Sequence, residues 1–343
     1  MADARDPVVD LRRIAFLLEA ANEPSYRVSA FRNAARTVGG MAPGELEAIV
    51  ARNGLRELAG VGEVLERTIV ESLRGEEPVY LRRLEATGGQ MVAELGAELC
   101  AALRGDCHVH SDWSDGGATI REMAEAAREI GREYVVLSDH SPSLTVANGL
   151  TAERLERQLE EVASLNTELA PFRILTGIEV DILSDGSLDQ APELLSRLDV
   201  VVGSVHSQLR MESRFMTRRL VTALADPHLD ILGHCTGRMR TRKRNRPEST
   251  FDAEVVFAAA ARFDKAIEVN SRPERLDPPK RLLRLALEAG CRVAIDSDAH
   301  YPGQLAWLPY GCDRAAACGV QSGSVVNALG VGELHAWAAA HED

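Results

Sequence analysis

At 343 residues the chain exceeds what one compact core usually holds, which predicts two domains. Its 45% hydrophobic and 27% charged residues, with 27 Gly and 14 Pro, fit a globular enzyme and exclude a disordered or fibrous chain; aromatics are only 4%, so aliphatic cores are expected. The net charge of −13 argues against indiscriminate nucleic-acid binding, which relies on Lys and Arg neutralising phosphates, although a local site can still bind DNA.

No apolar run approaches the roughly 18 to 20 residues of a membrane span, and the opening residues do not read as a signal peptide, so neither a membrane nor a secreted protein is expected. The six cysteines show no C-x-x-C pair and are expected to be reduced thiols of a cytoplasmic protein. Only Lys243, Lys265 and Lys280 are lysines, so the first 242 positions offer no side-chain amine nucleophile.

Residues 1–100 read as helical, with apolar residues at helical spacing in Leu11-Ile14-Ala15-Leu18 and Leu46-Ile49-Val50. Leu58-Ala59-Gly60-Val61-Gly62, followed by Val64, Leu65, Ile69 and Leu73, is a helix-hairpin-helix signal. Gly60 and Gly62 would let the backbone turn and offer N–H groups to a phosphate at a helix start. A tight turn in a helical bundle is the equal alternative. Arg27, Arg32 and Arg36 recur at roughly helical spacing as a DNA-facing strip or a solvated face, while residues 1–104 carry 13 Arg against 16 acidic residues, a net of −3.

From residue 105 short β-rich runs alternate with amphipathic helices, and seven strands are predicted over 107–110, 134–140, 173–181, 199–206, 230–234, 265–270 and 291–298. Strand and helix alternating over this length predict an α/β domain over 105–343 with parallel β-strands and helices outside, either a barrel or an open doubly wound sheet; no G-x-G-x-x-G follows the first strand, which weakens a dinucleotide-binding sheet. Six of the seven strands carry His, Asp or Glu at or just past their C-terminal ends, where parallel barrels place active sites. The residues are His108, His110, His140, Glu179, His206, His234, Asp298 and His300, with Asp115 in the loop after the first strand. Positions i and i+2 of a strand point the same way, so His108 and His110 can face one ion together. Imidazole and carboxylate without thiolate suit Zn, Mn or Fe, and nine ligands are too many for one ion. Two or three metals close together are the usual machinery of phosphoester hydrolysis.

The motifs D-C-H-V-H-S-D-W-S-D-G, L-S-D-H-S, G-I-E-V-D-I, V-G-S-V-H and D-S-D-A-H resemble those of the PHP (polymerase and histidinol phosphatase) superfamily of metal-dependent phosphoesterases. The resemblance implies a distorted seven-stranded (β/α) barrel with three divalent ions. His108, His110, Glu179 and Asp298 would hold one, Glu179, His206 and His234 a second, and Asp115, His140 and His300 a third. Glu179 would bridge two ions and place the nucleophilic water. Within the superfamily the chain is most similar to the PHP domain of bacterial family X DNA polymerases, through Glu268–Asp277, while Tyr26–Arg36 and Leu58–Gly62 make residues 1–100 similar to the N-terminal helical domain of those polymerases. The fingers, palm and thumb are missing between the hairpin region and the first metal motif, so no polymerase activity is expected. The lysine on which that family's N-terminal lyase chemistry depends is missing as well.

The leading expectation is a metal-dependent phosphoesterase acting on DNA ends, as a 3′–5′ exonuclease or 3′-phosphatase. A small-molecule phosphatase of the histidinol-phosphate type and a DNA-binding or scaffold module with structural metals are the alternatives. Arg275 is the candidate for a phosphate oxygen, through a bidentate guanidinium. Arg242 and Arg244, in the basic run 238–246, are candidates for a nucleic-acid backbone, with a solvated loop as the alternative.

Overall fold

The computed structural model describes residues 5–87, 92–241 and 245–341, which fall into two compact units, Met1–Met91 and Val92–Asp343. The division comes earlier than the expected 100/105 boundary. The short helix α6 (Ala97–Ala102) belongs to the second unit because Asp313 accepts the Leu95 and Gly96 N–H groups and because Leu99 and Leu103 pack with Leu283 and Leu308.

The first unit comprises α1 (Pro7–Ala20), α2 (Ser25–Gly39), α3 (Glu45–Ala51), α4 (Glu63–Leu73) and α5 (Val79–Thr87). Asp6 caps α1 by accepting from the Val8 N–H, and Pro7 occupies the first turn, where its missing N–H costs nothing. The apolar stripe Leu11, Ile14, Ala15 and Leu18 is buried against Phe31, Leu55 and Ile69.

The second unit is built on seven parallel strands in the order β1 (Gly105–Val109), β2 (Tyr134–Leu137), β3 (Arg173–Asp181), β4 (Val200–Ser204), β5 (Ile231–Leu232), β8 (Ala266–Asn270) and β9 (Arg292–Asp296). Between β5 and β8 lies a small antiparallel hairpin, β6 (Met239–Arg240) and β7 (Asn245–Arg246). The connecting helices are α7 (Ile120–Glu129), α8 (Ala152–Leu169), α9 (Pro192–Leu195), α10 (Ser213–Leu224), α11 (Ala253–Arg262), α12 (Lys280–Glu288), α13 (Leu308–Ala316) and α14 (Val331–Ala339). A capping box of Thr119 and Glu122 starts α7.

The sheet is a nearly closed barrel. Its seam, between β1 and β9, has little backbone ladder: Val109 bridges Ala299, and the Cys107 N–H donates to Asp296. Across it the Ser297 N–H and hydroxyl donate to Asp106, and Asn327 Nδ2 donates to the Gly105 and Ile295 carbonyls. Inside, Cys107, Tyr134, Val136, Leu175, Val200, Val202 and Ala294 form an apolar floor closed by Leu334 and Trp337 of α14. Polar side chains gather above that floor.

Candidate metal centre

The register of β1 on β2 pairs Asp106 with Val135 but Val109 with Leu137, which is a β-bulge. The extra residue lets Cys107 join the apolar floor while His108 and His110 still turn inward above it. Glu179 stands on β3, and β4 and β5 run directly into His206 and His234. Asp298, in the left-handed backbone conformation at φ 53°, and His300 follow β9.

All nine expected residues converge at the C-terminal mouth, and Glu179 lies at their centre. Its Oε2 is 3.3 Å from His108 Nε2, 3.6 Å from His110 Nε2 and 2.8 Å from His140 Nδ1. Its Oε1 is 3.3 Å from His206 Nε2 and 2.9 Å from His234 Nε2. Asp115 Oδ1 is 3.4 Å from both His140 Nε2 and His300 Nε2, and His110 Nε2 is 3.6 Å from Asp298 Oδ1. Three groups bring their donor atoms within 4.8 Å of one another: His108, His110 and Glu179; His140, Glu179 and His206; and His110, Asp115, His140 and His300. His110 and His140 each belong to two groups, a sharing that strand-end spacing could not reveal.

The donor set fits divalent cations. His108 Nε2, both ring nitrogens of His110, His140 Nδ1 and His206 Nδ1 are buried and have no hydrogen-bond partner among the described residues. Such crowding of unsatisfied nitrogen around a carboxylate is costly unless ions compensate it. Burial, with His300 and His140 adding to it, pushes His110 down to about 3, so its imidazole is neutral and able to ligate at neutral pH. For Glu179, burial acts upward, but His108, His206 and His140 outweigh it and hold the carboxylate well below the usual range. Asp298 is depressed likewise: burial acts upward, and Arg275, His110, His108 and Arg272 together outweigh it.

Several supporting residues were missed by the sequence reading. Glu268 on β8 is completely buried, lies 2.6 Å from His108 Nδ1 and accepts the His234 N–H. Asp181 accepts the His206 N–H, and Asn270 donates to Asp298. Asp139 anchors the loop leading to Asp115 by accepting from Ser111, Ser114 and Gln158. Arg275 does reach the mouth, with Nε 3.0 Å from Asp298 Oδ2, and its Nε and Nη1 are buried without a hydrogen-bond partner among the described residues.

The expected DNA-facing residues lie in a different setting. Arg32, expected in a basic strip, makes a paired contact with buried Glu19 through Nε and Nη2, the latter at 2.8 Å. Arg27 pairs with Glu23 and Tyr80, and Arg36 donates to Asn33. Gly60, at φ 81°, and Gly62, the N-cap of α4, have open space around their Cα atoms, but the first turn of α4 carries Glu63 and Glu66. Arg242 and Arg244 lie outside the described residues; Arg238, just before β6, donates to the Arg275 and Leu276 carbonyls. The six cysteines are free thiols, and no helix among the described residues is long and apolar enough to cross a membrane.

A family model for the PHP domain matches residues 106–272. The DNA polymerase/3′-5′ exonuclease PolX of Bacillus subtilis is 40% identical over 235 residues, which are 68% of this chain and 41% of that protein; the chain thus spans less than half of that relative's length. A probable phosphatase of Thermoanaerobacter sp. is 30% identical over 207 residues, 57% of this chain and 78% of that one. Among solved structures, histidinol phosphate phosphatase of Lactococcus lactis, complexed with zinc, L-histidinol and phosphate, aligns at a TM-score of 0.45 and 18% identity over 64% of this chain and 94% of its own. The motifs, the matched family model and the relatives agree: this chain belongs to the PHP superfamily of metal-dependent phosphoesterases and is related to the family X polymerases, with no polymerase core between its helical unit and its barrel.

Proposed function

We propose that this chain is a phosphatase that removes a terminal phosphate from a small ester. The observation that carries the reading is the Glu179-centred cluster with the Arg275 guanidinium at its edge, a site equipped for one phosphate group. In this reading His108, His110, Glu179 and Asp298 hold one ion, Glu179, His206 and His234 a second, and Asp115, His140 and His300 a third. When bound, such ions bind phosphate oxygens, activate water and stabilise the leaving oxygen.

The chain's own residues supply the rest. Glu268 fixes the His108 ring with Nε2 toward Glu179, and the Asp181 carboxylate lies 3.4 Å from His206 Nδ1. Arg275 contributes a fixed positive charge, and its unpartnered Nη1 is available to a phosphate oxygen. Burial of Glu179, His108 and His110 keeps bulk water from competing for these donors.

The net charge of −13, the Arg32–Glu19 pair and the acidic first turn of α4 support a small substrate over a nucleic-acid backbone. The identity to the Bacillus subtilis polymerase/exonuclease favours a second reading, action on DNA ends. The full chain, supplied with Mn or Zn, should be assayed side by side on p-nitrophenyl phosphate, histidinol phosphate, a 3′-phosphorylated oligonucleotide and a plain primer. Turnover of the two small esters with an intact plain primer supports the proposal. Degradation of the primer faster than either ester establishes the DNA reading.

A further inference from the structure

Arg272 has no part in the expected ligand set, yet it lies against it. Its Nη1 is 3.2 Å from the Asp298 carbonyl oxygen, 3.2 Å from His300 Nδ1 and 3.6 Å from Asp298 Oδ1. His300 Nδ1 is itself 3.0 Å from that same carbonyl, so imidazole and guanidinium both donate to it and His300 Nε2 is left facing Asp115. The indole of Trp307 lies 5.8 Å behind the guanidinium carbon, and Glu274 Oε2 lies 3.9 Å from Nε.

These contacts run through Nη1, Nε and the guanidinium face, while the side chain keeps 22% of its exposure. Held through Nη1 and backed by an aromatic ring, the planar fork is fixed before any substrate arrives. Across Asp298, Arg275 sits against Oδ2 as Arg272 sits against Oδ1. Two guanidiniums therefore bracket one carboxylate at the mouth.

We infer that Arg272 is a substrate-binding residue that, with Arg275, engages the non-bridging oxygens of a terminal, doubly charged phosphate and so makes the site favour phosphate monoesters over diesters. The inference rests on the phosphatase reading above. A monoester presents three free oxygens and close to two negative charges at neutral pH, whereas a diester presents two oxygens and one charge. Each guanidinium added to the mouth therefore rewards the monoester more.

The test uses the full-length, metal-loaded chain as wild type, Arg272→Met and Arg272→Lys. It reads kcat and KM on p-nitrophenyl phosphate and bis(p-nitrophenyl) phosphate, binding of inorganic phosphate by calorimetry, and metal content by elemental analysis. Arg272→Met is expected to weaken phosphate binding and raise the monoester KM by roughly tenfold or more, to raise the diester KM by several-fold less, and to leave the metal content near wild type. Arg272→Lys should recover part of the phosphate binding. Unchanged phosphate binding alongside a fall in kcat or metal content would mean that Arg272 only positions His300, which overturns the inference. Equal KM losses on both substrates overturn the selectivity it claims. A wild type that prefers the diester defeats the phosphatase reading itself, and the calorimetry still reports whether Arg272 binds phosphate.

Discussion

His108 Nδ1 lies 2.6 Å from Glu268 Oε1, and both side chains are completely buried. The carboxylate fixes which ring nitrogen faces Glu179 and raises the basicity of that nitrogen, as carboxylates behind metal-ligating histidines do. Glu268→Gln should therefore leave the fold intact by circular dichroism and lower Zn or Mn affinity by about 10- to 100-fold, read by competition with a chelator. Unchanged affinity would show that Glu268 does not tune the site.

Glu179 makes close approaches to five histidines, more than any other carboxylate in the site. Glu179→Gln should lower the number of ions bound per chain, counted by elemental analysis, and bring phosphoester hydrolysis to background. His335→Ala, on α14 and 3.4 Å from Asp199, should alter neither. Full turnover in the Glu179 variant would remove it from the role of shared ligand.

Arg32 offers a test in the helical unit. Its side chain is 12% exposed and Glu19 is 2% exposed, so Arg32→Ala takes the guanidinium from a buried carboxylate. A loss of about 3 kcal/mol is expected, measured by urea unfolding of the full chain through the helical unit's transition. The double variant Arg32→Met/Glu19→Gln should recover most of it. An unchanged unfolding midpoint together with weakened oligonucleotide binding would instead restore Arg32 to a DNA-facing role.

Cys100 on α6 packs against Cys312 on α13. The neighbouring Cys312 thiol, opposed by burial and helped by Arg132, pushes the Cys100 thiol down to about 6 from the ordinary 9. Iodoacetamide should thus label Cys100 with a midpoint near pH 6, while buried Cys107, whose thiol burial pushes up, stays unlabelled. The depressed Cys100 value contributes stability that is lost as pH falls through 9 toward 6, while Cys312, raised by the same contact, takes stability away as pH rises above 9. Cys312→Ala should move the labelling midpoint upward; an unmoved midpoint would show that the pair does not set it.

The candidate ligands were legible as a cluster because strand ends in a parallel barrel share one rim, so His, Asp and Glu at those ends carry their location with them. Glu268 was not, because its strand was the one of the seven without a terminal ligand. The overlooked signal is the alternation Ala266, Glu268, Asn270 against Ile267 and Val269, which marks a strand with one polar face. The contacts of the arginine strip were out of reach for a different reason. Helical spacing gives the direction of Arg32 on α2 but not the buried Glu19 on α1 that it meets. The sharing of His110 between two groups was likewise beyond reach, since it depends on distances across the mouth.

The seam between β1 and β9 makes the barrel a hoop with an open joint. His108 and His110 stand on one lip of that joint and Asp298 and His300 on the other, with His110 Nε2 3.6 Å from Asp298 Oδ1 across it. Any ion gripped by both lips also clasps the hoop, so cofactor loading and wall integrity are one event at this joint. Amide exchange should record it as slowing that is concentrated in 105–110 and 296–300 when Zn or Mn is added, while the continuous ladder of β3 and β4 on the opposite wall changes little.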